Sequence, residues 1–178
     1  MTAAKVRRAT AEDAGLLGII GPAAYAEAYG YLWDRPDAYA DQLQTFGSDA
    51  FRLLLVRPDA RVWVVEMRRA VVGFLSMIIG SIDPVEQRPG GAELPRIYIL
   101  GPARRMGLGR LLLDAAMGQV VVEGLSHVWL DVMASADLAT RLSQVGLPRD
   151  RRRGVRKAGQ ARPVRHGRDD QRGPCPLK

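Results

Sequence analysis

The sequence predicts a mixed α/β layer fold, and three observations carry that expectation. Strand-like and helical runs succeed one another as strand, helices, hairpin, strand, helix, strand, helix. Two neighbouring runs rich in β-branched residues are joined by a short basic turn, the pattern of an antiparallel hairpin. The stretch "ELPRIYIL" leads through "GPARRMGLG" directly into the strongest helical run of the chain.

Each element has its own warrant. Lys5 to Ala9 reads as a short first strand. Thr10 with Glu12 and Asp13 behind it reads as a helix N-cap with an acidic first turn. A helix is expected from there to about Tyr29, interrupted near Gly21-Pro22, where proline removes a donor. Asp37 to about Gln44 predicts a short second helix. Ser48 to Val56 predicts a third, with Asp49 in its first turn and Pro58 just past its end. Arg61–Met67 and Val71–Ile79 form the hairpin, and residues 83–91 form a Pro- and Gly-rich loop. Glu93 to Leu100 is the next strand, and Pro95 inside it predicts a missing ladder bond on one side. Leu108 to about Val122 is a helix that Gly124 stops. His127 to Val132 is a further strand, and Asp137 to Val145 a weaker last helix.

Composition excludes several classes of function. A chain of 178 residues with 47% hydrophobic and 25% charged residues is ordinary for one globular domain. No apolar run reaches the roughly 18 residues that a membrane span needs, so no membrane partner is expected. Glu12 and Asp13 stand where the apolar part of a signal peptide would begin. The single cysteine, Cys175, has no partner for an internal disulfide, so a cytoplasmic location is expected. The net charge of +7 belongs to the end of the chain. Residues 148–178 hold nine Arg, two Lys and three Asp, leaving 15 basic against 16 acidic groups in residues 1–147. The expected domain is therefore residues 1–147, followed by a basic, disordered tail. Only that tail offers nucleic acid a contact, and a non-specific one.

The chemistry concentrates in Arg104-Arg-Met-Gly-Leu-Gly109. A helix N-terminus exposes N–H groups and a partial positive charge, which suits phosphate oxygens. Gly107 and Gly109 remove side chains that would block the approach, while Arg104, Arg105 and Arg110 add charge. A bare Gly-x-Gly also serves as a plain turn.

In its surroundings this run resembles the GCN5-related N-acetyltransferase family. Arg104, Gly107 and Gly109 match the family's acetyl-CoA signature of Arg or Gln, two residues, Gly, one residue, Gly or Ala. "ELPRIYIL" looks like the strand closing one side of the cofactor groove. "VWLDVMAS" looks like the strand that splays away to admit the pantetheine arm, and "VRRATAEDAGLL" like the opening strand and helix. The resemblance covers about residues 5–140. It implies an acyl-CoA N-acyltransferase fold and direct transfer of acetyl from acetyl-CoA to an amine of a small molecule or peptide. Within the family the chain looks most like small bacterial enzymes acting on polyamines and similar amines. The resemblance implies a cofactor site at Arg104, Arg105, Met106, Gly107, Leu108, Gly109 and Arg110, with backbone N–H groups at Ile99 and Leu100 freed where the strands part. It implies no metal. Glu93 lies at a spacing from Arg104 where some members hold a general base; its other reading is an edge-strand charge facing solvent. His127 reads as structural. Tyr25, Tyr29, Tyr31 and Trp33 either line an acceptor pocket or belong to the core.

The pattern breaks near the C-terminus. The family has an Asn, then a helix ending in Phe-Tyr and Gly-Phe, then two more strands. This chain has Ala136 near the Asn position, no tyrosine after Tyr98 and no strand-like run after Leu147. The last strands are thus expected to be altered or missing. A shifted reading frame would account for this: if residues 142–147 were encoded CTA TCG CAA GTG GGG CTT, the same bases read one position later would spell Tyr-Arg-Lys-Trp-Gly-Phe, the family's motif, and the gene sequence tests it. Two consequences are expected: impaired catalysis, leaving an acetyl-CoA-binding protein or a nucleic-acid or acidic-partner binder acting through its tail; and exposed edges that favour a homodimer.

Overall fold

Strands β1 (Lys5–Arg8), β2 (Ala60–Met67), β3 (Ala70–Ile79), β4 (Gly91–Ile99) and β5 (His127–Trp129) lie side by side in chain order in the computed structural model, which describes residues 4–83 and 87–130. The first four are antiparallel neighbours, and β5 joins β4 in parallel. The helices are α1 (Ala14–Tyr29), α2 (Pro36–Gln44), α3 (Ser48–Val56) and α4 (Leu108–Val122). The expected helix at 137–145, the end of the last strand and the tail lie outside the described residues. None of the described helices is long and apolar enough to cross a membrane.

Side-chain alternation gives the sheet two apolar faces. On one face Leu17, Ile20 and Tyr25 of α1 and Phe51 of α3 close over Val62, Val64 and Phe74. On the other, α4 lies against β2, β3 and β4 and buries Leu112, Leu113 and Ala116. Contrary to expectation, α1 runs unbroken through Pro22. Packing supplies the reason. Leu17, Ile20, Ala24 and Tyr25 on either side of the proline are buried, so the tertiary face outweighs one lost helix bond. Gly18 permits the close crossing, because a Cβ there would stand 2.6 Å from the Ser48 nitrogen.

The helix start also differs in detail. Ala11–Asp13 forms a 3-10 turn ahead of α1. The Thr10 N–H donates to Asp13 Oδ2 at 2.7 Å, and Arg7 grips both oxygens of Asp13 at 2.8 and 2.9 Å. The β2–β3 hairpin turns on Arg68 and Arg69 at φ 52° and 68°, the left-handed pair that a two-residue turn requires.

Two features of β4 set up the site. Between Glu93, opposite Ile78, and Arg96, opposite Ser76, two residues of β4 face the single Met77 of β3. Leu94 and Pro95 therefore form a β-bulge, and the proline sits where the ladder is already interrupted. On its other side β4 pairs with β5 only over Gly91–Glu93. Beyond Glu93 that edge has no strand partner among the described residues.

Candidate active site

The site forms where β4 ends and α4 begins. A 3-10 turn over Gly101–Ala103 drops the chain off the sheet. Arg105 and Gly107 then take left-handed φ values of 64° and 79°, and α4 starts at Leu108. Arg110 and Leu111 are the first amides to bond back, both to the Gly107 carbonyl. The amides of residues 105–109 find no acceptor among the described residues. They form a row of donors at the positive end of a helix dipole, the arrangement that binds phosphate oxygens. The surface over them is bare. A Cβ on Gly107 would meet nothing within 4 Å, and Gly109 lies over the Ile99 side chain. Leu108 turns its side chain into the core and offers only backbone, whereas Met106 is exposed.

The three arginines divide their work differently from the expectation of three added charges. Arg104 turns inward: its Nε donates to the Ile99 carbonyl at 3.0 Å, and Nη2 donates to the Ala24 carbonyl at 3.4 Å and pairs with Glu27 at 3.3 Å. Glu27 Oε2 also accepts the Gly101 N–H at 2.9 Å. The signature arginine thus clasps α1 to the turn. Arg110 pairs along its helix with Asp114 at 2.8 Å. Arg105 alone of the three has no ion pair among the described residues.

The strand edge also corrects the sequence reading. The Leu100 N–H is not freed, since it donates to the Val72 carbonyl at 2.9 Å. Antiparallel residues alternate between hydrogen-bonded and non-bonded pairs. With Leu100 bonded to Val72, Ile99 opposite Gly73 and Ile97 opposite Leu75 fall in the non-bonded phase. Their N–H groups point away from β3, along the edge that β5 leaves open. The Ile99 carbonyl on that edge is the one Arg104 holds. The outward N–H groups at this edge are thus those of Ile99 and Ile97.

Glu93 stands on the opposite face from α4, level with Ile78, one sheet position from Arg96 and two from Tyr98. It is half-buried and flanked by strands on both sides, so the edge-charge reading falls away. The Ser81 hydroxyl donates to Oε2 at 3.1 Å, and the Trp129 indole holds Ser81 in turn through its carbonyl at 3.2 Å. Beyond it lies a ring cluster. Tyr98 stacks among Tyr25, Tyr29, Phe46 and Phe74 at centroid distances of 5.4 to 6.4 Å. Burial raises the phenol pKa of Tyr25, Tyr29 and Tyr98 above its ordinary value, so none is a base at neutral pH. Tyr25 is core, with the Trp33 indole donating to its hydroxyl at 3.2 Å, whereas Tyr31 is exposed. His127 lies against Gly91 with Nδ1 2.8 Å from the Ser126 hydroxyl, away from the ring cluster.

Arg96 is the residue that sequence reasoning passed over. Its guanidinium lies 4.4 Å from the Phe46 ring centre and 5.9 Å from that of Phe51. It is half-buried, burial lowers its pKa, and it has no ion pair or hydrogen bond among the described residues. Cation–π contact contributes about 0.5–2 kcal/mol, whereas taking an ion out of water costs several kcal/mol. Stacking alone does not offset that burial.

Comparison with known proteins bears on the family and the fold. The model of the acetyltransferase (GNAT) family matches residues 24–146. Among solved structures, the PaiA N-acetyltransferase from Thermoplasma acidophilum, in complex with coenzyme A, is similar with a TM-score of 0.69 at 16% identity, over 80% of this chain and 87% of that one. The ribosomal-protein-alanine N-acetyltransferase from Brucella melitensis biovar Abortus 2308 is similar with a TM-score of 0.59 at 20% identity, over 88% of this chain and 100% of that one. An aminoglycoside acetyltransferase from an uncultured soil metagenomic sample, in complex with sisomicin, reaches 0.62 at 17% identity, over 89% and 97%. No curated protein matches the chain significantly.

Proposed function

The chain belongs to the acetyltransferase (GNAT) family, and from that premise we propose that it transfers the acetyl group of acetyl-CoA to a primary amine of a small molecule or protein. One observation carries this reading: a row of amides at residues 105–109 opens beside an edge of β4, and among the described residues the amides have no acceptor and the edge has no strand partner beyond Glu93. A linear ligand with an anionic end and an amide-bearing arm matches both. Acetyl-CoA supplies a pyrophosphate, a pantetheine arm and an activated acetyl thioester.

The chain's own groups divide the task. The amides of 105–109 and the Arg105 guanidinium hold the pyrophosphate oxygens. The outward N–H groups of Ile97 and Ile99 bond the arm and the thioester oxygen, where negative charge develops as the amine attacks. An alkyl ammonium has a pKa near ~10.4, so only about one molecule in a thousand is neutral near pH 7. Glu93 takes the ammonium proton, directly or through one water, while Ser81 fixes its carboxylate. The neutral amine attacks the thioester carbon, the C–S bond breaks, and the second proton of the nitrogen passes, through water, to the departing CoA thiolate. The acceptor enters from the face that carries Glu93 and the ring cluster. Similar structures are named for ribosomal-protein alanine and for aminoglycosides, so this fold accommodates both peptide and small-molecule amines.

Thiol release from acetyl-CoA across a panel of primary amines, polyamines included, tests the reading. Amine-dependent release is expected. Glu93→Gln should lower kcat by about 10²–10⁴ with acetyl-CoA affinity unchanged. Release that no amine stimulates speaks against transfer, and an undiminished Glu93→Gln rate removes Glu93 as the base.

A further inference from the structure

Two donors on the acceptor face end without an acceptor. Arg96 and Ser76 sit directly opposite each other in the β3–β4 ladder, so their side chains share a face, with Cα atoms about 5.5 Å apart. The Ser76 hydroxyl is fully buried and makes no hydrogen bond. The Arg96 guanidinium above it is half-buried and has no anionic partner among the described residues. Phe46 and Phe51 hold its plane in place, which pre-organises the fork of N–H groups. Such a fork pairs bidentately with two oxygens of an oxyanion, and a carboxylate is the smallest organic group that presents them in one plane. Glu93 occupies the next position on the same face, opposite Ile78, roughly 7 Å along the sheet. A cation fixed beside a base, on the side where the acceptor enters, defines an acceptor with two ends.

We propose that Arg96 anchors a carboxylate on the acceptor, so that the preferred substrates are primary amines carrying a carboxylate within a short spacer of the nitrogen. This rests on the acetyltransferase reading and specifies the substrate class of that same site. The carboxylate neutralises Arg96 while the ammonium end lies against Glu93, and the pair of contacts sets which nitrogen faces the thioester. A neutral or purely cationic amine leaves the guanidinium uncompensated and meets positive charge where it should dock.

Matched amines decide the matter: glycine against glycinamide, β-alanine against its amide, and lysine against cadaverine, each with acetyl-CoA and the full chain. In at least one pair the carboxylate is expected to raise kcat/KM about tenfold or more. Arg96→Met should abolish that preference by lowering kcat/KM for the carboxylated partner to that of the neutral one, and Arg96→Lys should retain part of it. Thermal melting and acetyl-CoA affinity identify a variant that has simply unfolded, in which case the Lys variant and the wild-type pairs still decide. Equal rates within every pair, a preference for the neutral partner, or a preference that survives Arg96→Met overturns the proposal. So does a panel in which no carboxylated amine either reacts or binds the CoA-loaded protein. Failure of the underlying reading is distinct, because then acetyl-CoA does not bind, or no amine of either kind, carboxylated or neutral, stimulates thiol release.

Discussion

Asp13 shows how much a single side chain can organise. It accepts from Thr10 and from both arms of Arg7, which also reaches Glu66 on β2 at 2.6 Å. The Arg7 hydrogen bonds hold its pKa below the usual carboxylate range, against the opposing effect of burial. A depressed folded-state pKa adds stability above the unfolded value of about 3.9, which is lost as pH falls through the folded value. Asp13→Asn should therefore destabilise at pH 7 by about 1–2 kcal/mol, a modest figure because Arg7 is a third exposed. Melting curves of the two proteins should converge as acidification passes the unfolded value of about 3.9 and runs down through the lower folded value. A constant gap across that range would place the contribution elsewhere. At this scale the sequence exposed Glu93 as a spacing and Asp13 as a first-turn acid behind the Thr10 N-cap, but not Arg96. An arginine inside a strand is unremarkable until its face, its ring neighbours and its missing anion are known, and all three come from distant segments.

The turn from β4 into α4 was legible in advance, because glycines between a strand and a helical run announce a tight approach. What stayed hidden was the phase of the ladder. Which of Ile97, Ile99 and Leu100 turns its N–H outward depends on how β4 pairs with β3 after the Leu94–Pro95 bulge, and pairing is not local. The inward course of Arg104 was hidden for the same reason, since its partners Glu27 and Ala24 belong to α1. The two glycines should respond differently. Gly107 holds φ 79°, so Gly107→Ala should cost about 1 kcal/mol of stability and weaken acetyl-CoA binding about tenfold, because a side chain disfavours the left-handed turn that aligns the amides. In Gly109→Ala the added Cβ would rest 3.6 Å from Ile99 Cδ1, an ordinary contact, so fold and affinity should persist. Equal losses in both, measured by calorimetry, would contradict a cradle that depends on the left-handed residue. The clasp predicts that Glu27→Ala destabilises by about 1 kcal/mol in urea titrations, and Glu27→Gln by less, since the amide oxygen still accepts from Gly101.

Across the whole molecule, the order of elements sufficed to anticipate the sheet, because each run has a clear period and its own punctuation. The one misjudged interior, Pro22, is where packing of α1 on α3 overrides local propensity. The sheet keeps α4 and its amide row on one face and Glu93 with the ring cluster on the other, so on the proposed reading cofactor and acceptor would approach the edge of β4 from different sides. That reading depends on a single event, the seating of an anionic, amide-bearing cofactor against residues 105–109 and the edge of β4. Isothermal titration of the full chain with acetyl-CoA tests it most directly. Saturable binding in the micromolar to sub-millimolar range, on the order typical of enzyme substrates, weakened by Gly107→Ala and by added salt, is the expected result. No binding at millimolar acetyl-CoA would contradict the assignment.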